Sequence, residues 1–240
     1  MRAPSPSAGP VASASYDARR AWITEYFDRT AADGWAALTS DAPVGFVRRT
    51  VRAGRDRMRG TLLDWLPASL HGARVLDAGC GTGALAVALA ARGAHVVAVD
   101  LSPTLVAVAR HRAPRGLAAR LEFVSGDMLD AAHGTFDHVV AMDSLIHYDA
   151  PDLVAAVRAL AARTRAGGAG GGSVLFTVAP RTPLLALKHA VGRLLPATQR
   201  APAIEPVALP ALWGALGAAL GAGRRAGRTR RVSTGFYTSY

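Results

Sequence analysis

A single cysteine, Cys80, stands in the 240 residues, which excludes a disulfide scaffold and any multi-cysteine zinc or iron–sulfur centre. Lysine is as scarce: of 28 basic residues only Lys188 is not an arginine. Charged residues make up 19% of the chain and aromatics 6%, against 50% apolar residues. That balance supplies a full core and excludes a disordered or fibrous protein. The opening residues lack the charged, apolar and cleavage-site order of a secretory signal, so a cytoplasmic location is expected. The longest uncharged stretch, 206–223, is interrupted by Pro210 and four glycines. Its Leu209, Leu212, Leu216 and Leu220 form one helical stripe, which predicts a helix packed on a sheet rather than a membrane span. No internal repeat is visible.

The length suits one α/β domain with extra elements. The net charge is +11, a balance that favours acidic partners. Residues 1–14 are rich in Pro, Ser, Ala and Gly and read as a disordered tail. Residues 15–67 carry apolar residues at helical spacing and read as a helical N-terminal arm or lid, broken near Ser40–Pro43 and closed by Pro67. Its second half is strongly basic, with Arg48, Arg49, Arg52, Arg55, Arg57 and Arg59. From Arg74 the pattern alternates. Strands are predicted at Arg74–Ala78, His95–Val99, Leu121–Val124, Phe136–Met142 and Ser173–Val178, and helices at Thr82–Ala91, Pro103–His111 and Pro151–Arg165. Near-continuous apolar strands alternating with helices imply a parallel, doubly wound sheet covered on both faces. Residues 68–240 form that domain, with a lid insertion expected near 181–207. The final alternating stretch reads as a hairpin strand, and the basic run before it leaves peripheral membrane contact open.

The most informative stretch is Val75-Leu-Asp-Ala-Gly-Cys-Gly-Thr-Gly83, a strand running into a glycine loop that opens a helix. Gly79 and Gly81 permit a tight turn and close approach of a nucleotide-like ligand. Asp100 ends the second strand, where a carboxylate accepts ribose hydroxyls; this fits a dinucleotide or S-adenosylmethionine (SAM) equally. Asp77, two residues before Gly79, repels a pyrophosphate but suits an ammonium and a sulfonium. Gly126-Asp-Met128 follows the third strand, where an acid meets an adenine amino group and a methionine covers the ring. Together these residues resemble class I SAM-dependent methyltransferases. The resemblance implies a Rossmann-like α/β fold with a seven-stranded, mostly parallel sheet and an antiparallel last strand. It assigns Asp77, Gly79 and Gly81 to the methionine part, Asp100 and Leu101 to ribose, and Asp127 and Met128 to adenine. Cys80 fills a position that needs a small side chain.

Val140-Ala-Met-Asp-Ser-Leu-Ile-His-Tyr148 runs off the fourth strand, the edge that faces the methyl group in class I enzymes. Met142 is expected to line the cofactor and His147 to reach the acceptor. The chain further resembles the magnesium protoporphyrin IX O-methyltransferase family of bacteriochlorophyll synthesis. The matching pieces are Tyr26-Phe-Asp28 with Trp35, Arg52-Ala-Gly-Arg-Asp-Arg-Met58, the glycine loop, Met142-Asp-Ser-Leu-Ile-His-Tyr148, Phe176-Thr-Val-Ala-Pro-Arg-Thr-Pro183 and Gly235-Phe-Tyr-Thr-Ser239. The resemblance implies methyl transfer from SAM to the ring-C propionate of Mg-protoporphyrin IX, leaving the monomethyl ester and S-adenosylhomocysteine (SAH). Catalysis then falls to His147, and substrate contacts to Tyr26, Arg55, Asp143, Tyr148 and Arg181. Arg48, Arg52, Arg55, Arg181 and Arg193 are candidates for the second propionate. Relatives from oxygenic organisms carry a tyrosine where this chain has Thr39, so no catalytic tyrosine is carried over. Magnesium arrives in the substrate, with no protein metal site in the sequence. The resemblance implies a magnesium chelatase subunit as neighbour and a photosynthetic membrane nearby. A methyltransferase acting on RNA or a quinone-like phenol, and a non-catalytic SAM or porphyrin carrier, stay open. No aromatic-rich basic patch points to nucleic acid.

Overall fold

A computed structural model describes residues 13–30, 32–40, 43–165, 172–182, 204–221 and 227–240. The arm is helical: α1 (Ala14–Glu25), a π-helical turn at Tyr26–Thr30, α2 (Ala32–Leu38) and α3 (Phe46–Asp64). Ser13 caps α1 by accepting from the Tyr16 amide, so the helix begins one residue inside the stretch expected to be a tail. Two arginines, Arg52 of the basic face and Arg112 from beyond the arm, hold the end of α2. Arg52 donates to the carbonyls of Ala37 and Leu38, and Arg112 to those of Ala36 and Thr39. Cations at a helix C-terminus satisfy its orphan carbonyls and oppose its dipole.

Then follow β1 (Arg74–Ala78), α4 (Ala84–Ala91), β2 (His95–Asp100), α5 (Pro103–Arg112), β3 (Leu121–Ser125), β4 (His138–Ala141), α6 (Ala150–Ala162) and β5 (Ser173–Phe176). All five strands pair in parallel, in the order β3-β2-β1-β4-β5. The pleat divides the core into two layers. Leu76, Val97, Val99 and Val139 pack beneath α1 and α6, while Val75, Val96, Ala98 and Val140 pack beneath α3 and α4. The uncharged segment forms α7 (Leu209–Leu220), with Leu212 and Leu216 buried, as the leucine stripe predicts.

One expectation is corrected. Among the described residues the sheet has five strands, not seven. Strands β6 (Val232–Thr234) and β7 (Tyr237–Ser239) form a separate antiparallel hairpin. It is tied to the chain beyond β5 at Val178, which exchanges both backbone hydrogen bonds with Tyr240 at 3.0 Å and accepts one from Ser239 Oγ. Val178 and Tyr240 lie past their strand ends, so the antiparallel contact is made without extending the ladder. The lid insertion expected at 181–207, with Arg193, lies mostly outside the described residues.

Candidate active site

Strand order reverses at β1, which has β2 on one side and β4 on the other. Ligands of doubly wound sheets bind at the carboxyl ends of the strands at such a switch point. A cavity opens there, lined by Asp77, the glycine loop, Asp100, Leu101, Asp127, Met128, Met142, Asp143, His147 and Tyr148, and roofed by the arm. Gly79 and Gly81 have φ of 86° and 53°, values an L side chain rarely adopts. Their missing side chains also make room for protein atoms. A Cβ on Gly79 would lie 2.3 Å from the Ser144 Cβ, and one on Gly81 3.2 Å from the Trp35 indole nitrogen.

The three acids sit in three different environments. Asp77 is buried at 1% exposure, and its Oδ2 has no hydrogen-bond partner. Burial, with Asp100 nearby, pushes its pKa up to about 7 against a backbone hydrogen bond from Ala86. An unpaired buried carboxylate oxygen is costly and invites a cation. Asp100 is fixed by backbone donors, Gly81 N–H to Oδ2 at 2.7 Å and Ser102 N–H to Oδ1 at 2.9 Å, and burial raises its pKa. Asp127 is met by the arm. The Tyr16 hydroxyl donates to Oδ1 at 2.8 Å and Arg20 to Oδ2 at 2.5 Å. The Tyr16 ring stacks on Tyr148 with centroids 4.8 Å apart.

At the β4 end, Arg55 from α3 pairs with Asp143 at 2.5 Å, and its guanidinium lies over the Trp35 ring, 4.5 Å from the centroid. His147 lies on a short 3-10 turn after β4. It is 4% exposed and meets Phe27 edge-on at 5.9 Å. Thus a buried carboxyl with an unpartnered oxygen, an aspartate-paired guanidinium and an imidazole line one cavity.

The family model "Magnesium-protoporphyrin IX methyltransferase C-terminus" matches residues 141–240, and a "Methyltransferase domain" model matches 75–168. The chain is 46% identical to the magnesium-protoporphyrin O-methyltransferase of Rhodobacter capsulatus over 218 residues, 90% of this chain and 92% of that one. It belongs to the magnesium-protoporphyrin O-methyltransferase family. The crystal structure of a magnesium protoporphyrin IX methyltransferase from Synechocystis PCC 6803 with bound SAH superposes with a TM-score of 0.76 at 30% identity, covering 92% of this chain and 96% of that one. A ubiquinone biosynthesis O-methyltransferase from Methylocella silvestris is 36% identical, but over only 59% of this chain and 58% of its own.

Of the contacts that the family resemblance implies, twelve positions gather at the cavity: Arg55, Asp77, Gly79, Gly81, Asp100, Leu101, Asp127, Met128, Met142, Asp143, His147 and Tyr148. Tyr26 and Arg181 do not. Tyr26 stacks on Trp22 at 5.3 Å, because the inward stripe of α1 runs through Tyr16, Ile23 and Phe27 and Tyr26 falls one residue off it. Arg181 is exposed and borders a separate groove with Glu205 and α7. Arg52 reaches the cavity wall but its Nε and Nη2 serve α2. Tyr16 and Arg20 were missed; their only signal was an aromatic and a basic residue one turn apart on an arm helix. Asp127→Asn is expected to weaken SAM binding about tenfold, the scale of one charged hydrogen bond. It should also release α1, read as faster limited proteolysis of the arm; unchanged cleavage would mean that the Tyr16 and Arg20 contacts do not anchor it.

Proposed function

We propose that the protein transfers a methyl group from SAM to a propionate carboxylate of Mg-protoporphyrin IX, giving the monomethyl ester. The observation that carries this reading is the lining of the cavity: the orphaned oxygen of buried Asp77 shares it with His147 and with Arg55, whose guanidinium is paired with Asp143. A buried carboxylate that lacks a cation, in one cavity with guanidinium and imidazole donors, suits a positively charged methyl donor and a carboxylate acceptor. The donor's residues fit it. Asp77 would hold the ammonium, Asp100 and Leu101 the ribose, Asp127 the adenine amino group, with Met128 against the ring and Met142 near the sulfur. When bound, SAM supplies the activated methyl carbon on a sulfonium.

The protein's own task follows from the acceptor. A propionate has a pKa near that of Glu, about 4.3, so it arrives ionised at pH 7 and no residue must remove a proton. What remains is orientation, which supplies several kcal/mol of a transfer barrier, and exclusion of water from the carboxylate. Arg55 offers N–H groups to the acceptor carboxylate, His147 orients it by a hydrogen bond, and Phe27, Met142 and Tyr148 keep the surroundings apolar. The test is direct: purified protein with SAM and Mg-protoporphyrin IX should yield ester and SAH in equal amounts. Methylation of a quinone-like phenol in its place would overturn the reading, since a phenol ionises near 10 and needs a real base.

The reading extends to hand-over from a magnesium chelatase subunit, supported by the family alone, and to peripheral contact with the photosynthetic membrane. No helix among the described residues is long and apolar enough to cross a membrane. Phe46, Val47 and Phe236 are exposed beside exposed Arg48 and Arg49, a pairing that suits an anionic interface. Vesicles containing phosphatidylglycerol should carry the protein upward on flotation while neutral vesicles leave it behind; equal recovery would remove this part.

A further inference from the structure

The hairpin that stands apart from the sheet sends one side chain to Asp143, a residue that lines the candidate site. Asp143, the residue after Met142 at the end of β4, has φ of 56°, and among the described residues no other non-glycine adopts that conformation. Aspartate is among the few non-glycine residues that take up a left-handed backbone, singly and where local hydrogen bonds fix it. Four contacts do so. The Asp143 amide donates to Thr177 Oγ1 at 2.7 Å, and that hydroxyl returns a bond to Oδ1 at 3.3 Å. Arg55 donates to Oδ2, and the Tyr237 hydroxyl donates to Oδ1 at 3.0 Å. Asp143 therefore has its carboxylate committed to protein donors. An acid beside an incoming carboxylate would repel it, unless its charge is spread over such partners.

Given the reading that Arg55 receives the acceptor carboxylate, we propose that Tyr237 is a positioning residue for the substrate: by satisfying one oxygen of Asp143 it leaves the Arg55 guanidinium shared between Asp143 and the cavity. A guanidinium has five N–H donors in a planar fork, and this one lies over the Trp35 ring, 4.5 Å from its centroid. Without the Tyr237 hydroxyl, Oδ1 keeps only the long bond from Thr177. Arg55, already bonded to Oδ2, then swings into a two-pronged pair with both oxygens, and each N–H so used is withdrawn from the substrate.

The hydroxyl is aimed by contacts that do not involve it. The hairpin lies on α3 at Gly54, where an added Cβ would come within 2.5 Å of the Tyr237 ring and 2.4 Å of Thr234 Oγ1. Thr234 Oγ1 donates to the Thr50 carbonyl at 2.9 Å, and the Phe236 amide donates to Thr50 Oγ1 at 3.2 Å. At the far side, Ser239 Oγ donates to the Val178 carbonyl. Tyr237→Phe keeps the ring and the anchors on α3, so it removes the bond to Asp143, with the hydroxyl's contact to Ser239, and leaves the hairpin seated.

Steady-state kinetics with Mg-protoporphyrin IX test the proposal. Tyr237→Phe is expected to raise KM for the porphyrin about five- to tenfold, with kcat within about twofold and SAM affinity unchanged, the pattern of lost ground-state binding. Gly54→Ala, which displaces the hairpin, should raise the same KM and also lower Tm. A KM within twofold of the parent in Tyr237→Phe overturns the proposal, as does a fall in kcat at constant KM. Parallel loss of Tm and SAM affinity would make Tyr237 merely structural and overturns it too. Arg55→Gln separates the two layers. If it leaves the porphyrin KM unchanged, the role given to Arg55 fails and Tyr237 with it. If it raises KM tenfold or more while Tyr237→Phe does nothing, only the role of Tyr237 fails.

Discussion

Asp77→Asn should weaken SAM binding by roughly 10²- to 10³-fold, the scale of breaking a buried ion pair, and at the same time raise the Tm of the ligand-free protein at pH 8. The two effects share one cause. In the folded state Asp77 holds its proton up to about pH 7, against 3.8 for an ordinary aspartate. The unfolded chain binds fewer protons between those values, so this group's contribution to stability falls as pH rises through that window and is fully lost above it. At about 1.4 kcal/mol per tenfold, the gap corresponds to about 4 kcal/mol. Asparagine removes the charge and with it the slope, while its own buried amide N–H₂ needs partners and offsets part of the gain. A rise of several degrees is therefore expected at pH 8, with little difference from the parent at pH 4. Thermal scans across pH and calorimetric SAM titration check both halves. A variant that loses SAM binding and stability together would show that Asp77 holds the fold rather than the cofactor.

That trade-off was half visible in the sequence. Asp77 stood out because an acid before a glycine loop opposes a phosphate, a local electrostatic argument that needs no coordinates. The buried strands were equally legible, since parallel strands covered on both faces read as apolar runs whatever their neighbours. Their ends were less so: Phe136 falls outside β4 because it bridges only to Thr164. What periodicity could not supply was the partner of each polar side chain across the fold. Arg52 and Arg55 sit one turn apart on the same basic face. The first is drawn to the carbonyls ending α2 and the second to Asp143, a split set by where α2 and β4 arrive in space. Tyr16 and Arg20 reach Asp127 from over a hundred residues away. The seven-strand expectation rests on the family resemblance, and the sequence itself does not place the last strands. Alternation in 230–240 reports a hairpin correctly but does not say whether it joins a sheet or lies against α3.

His147→Ala is expected to lower kcat about 10²-fold while SAM affinity stays within about twofold. The imidazole is buried in the cavity lining, held against Phe27 and placed by a single turn directly after β4. With an acceptor that is already ionised, an imidazole base has nothing to remove, so its value is geometric: a displacement of about 1 Å at a reacting centre is enough for a loss of that size. Geometry and basicity separate in a second variant. His147→Asn retains an N–H donor near the same place and cannot act as a base at neutral pH. Recovery of a tenth or more of the parent rate by Asn over Ala would support hydrogen-bonded orientation. Equal loss in both variants would instead mean that the ring's basic nitrogen is required, and would demand an acceptor that arrives protonated, contrary to a carboxylate. Measuring SAM binding in the same preparations guards the argument, because Phe27 also lines the cavity and a collapsed wall would weaken the cofactor along with the rate.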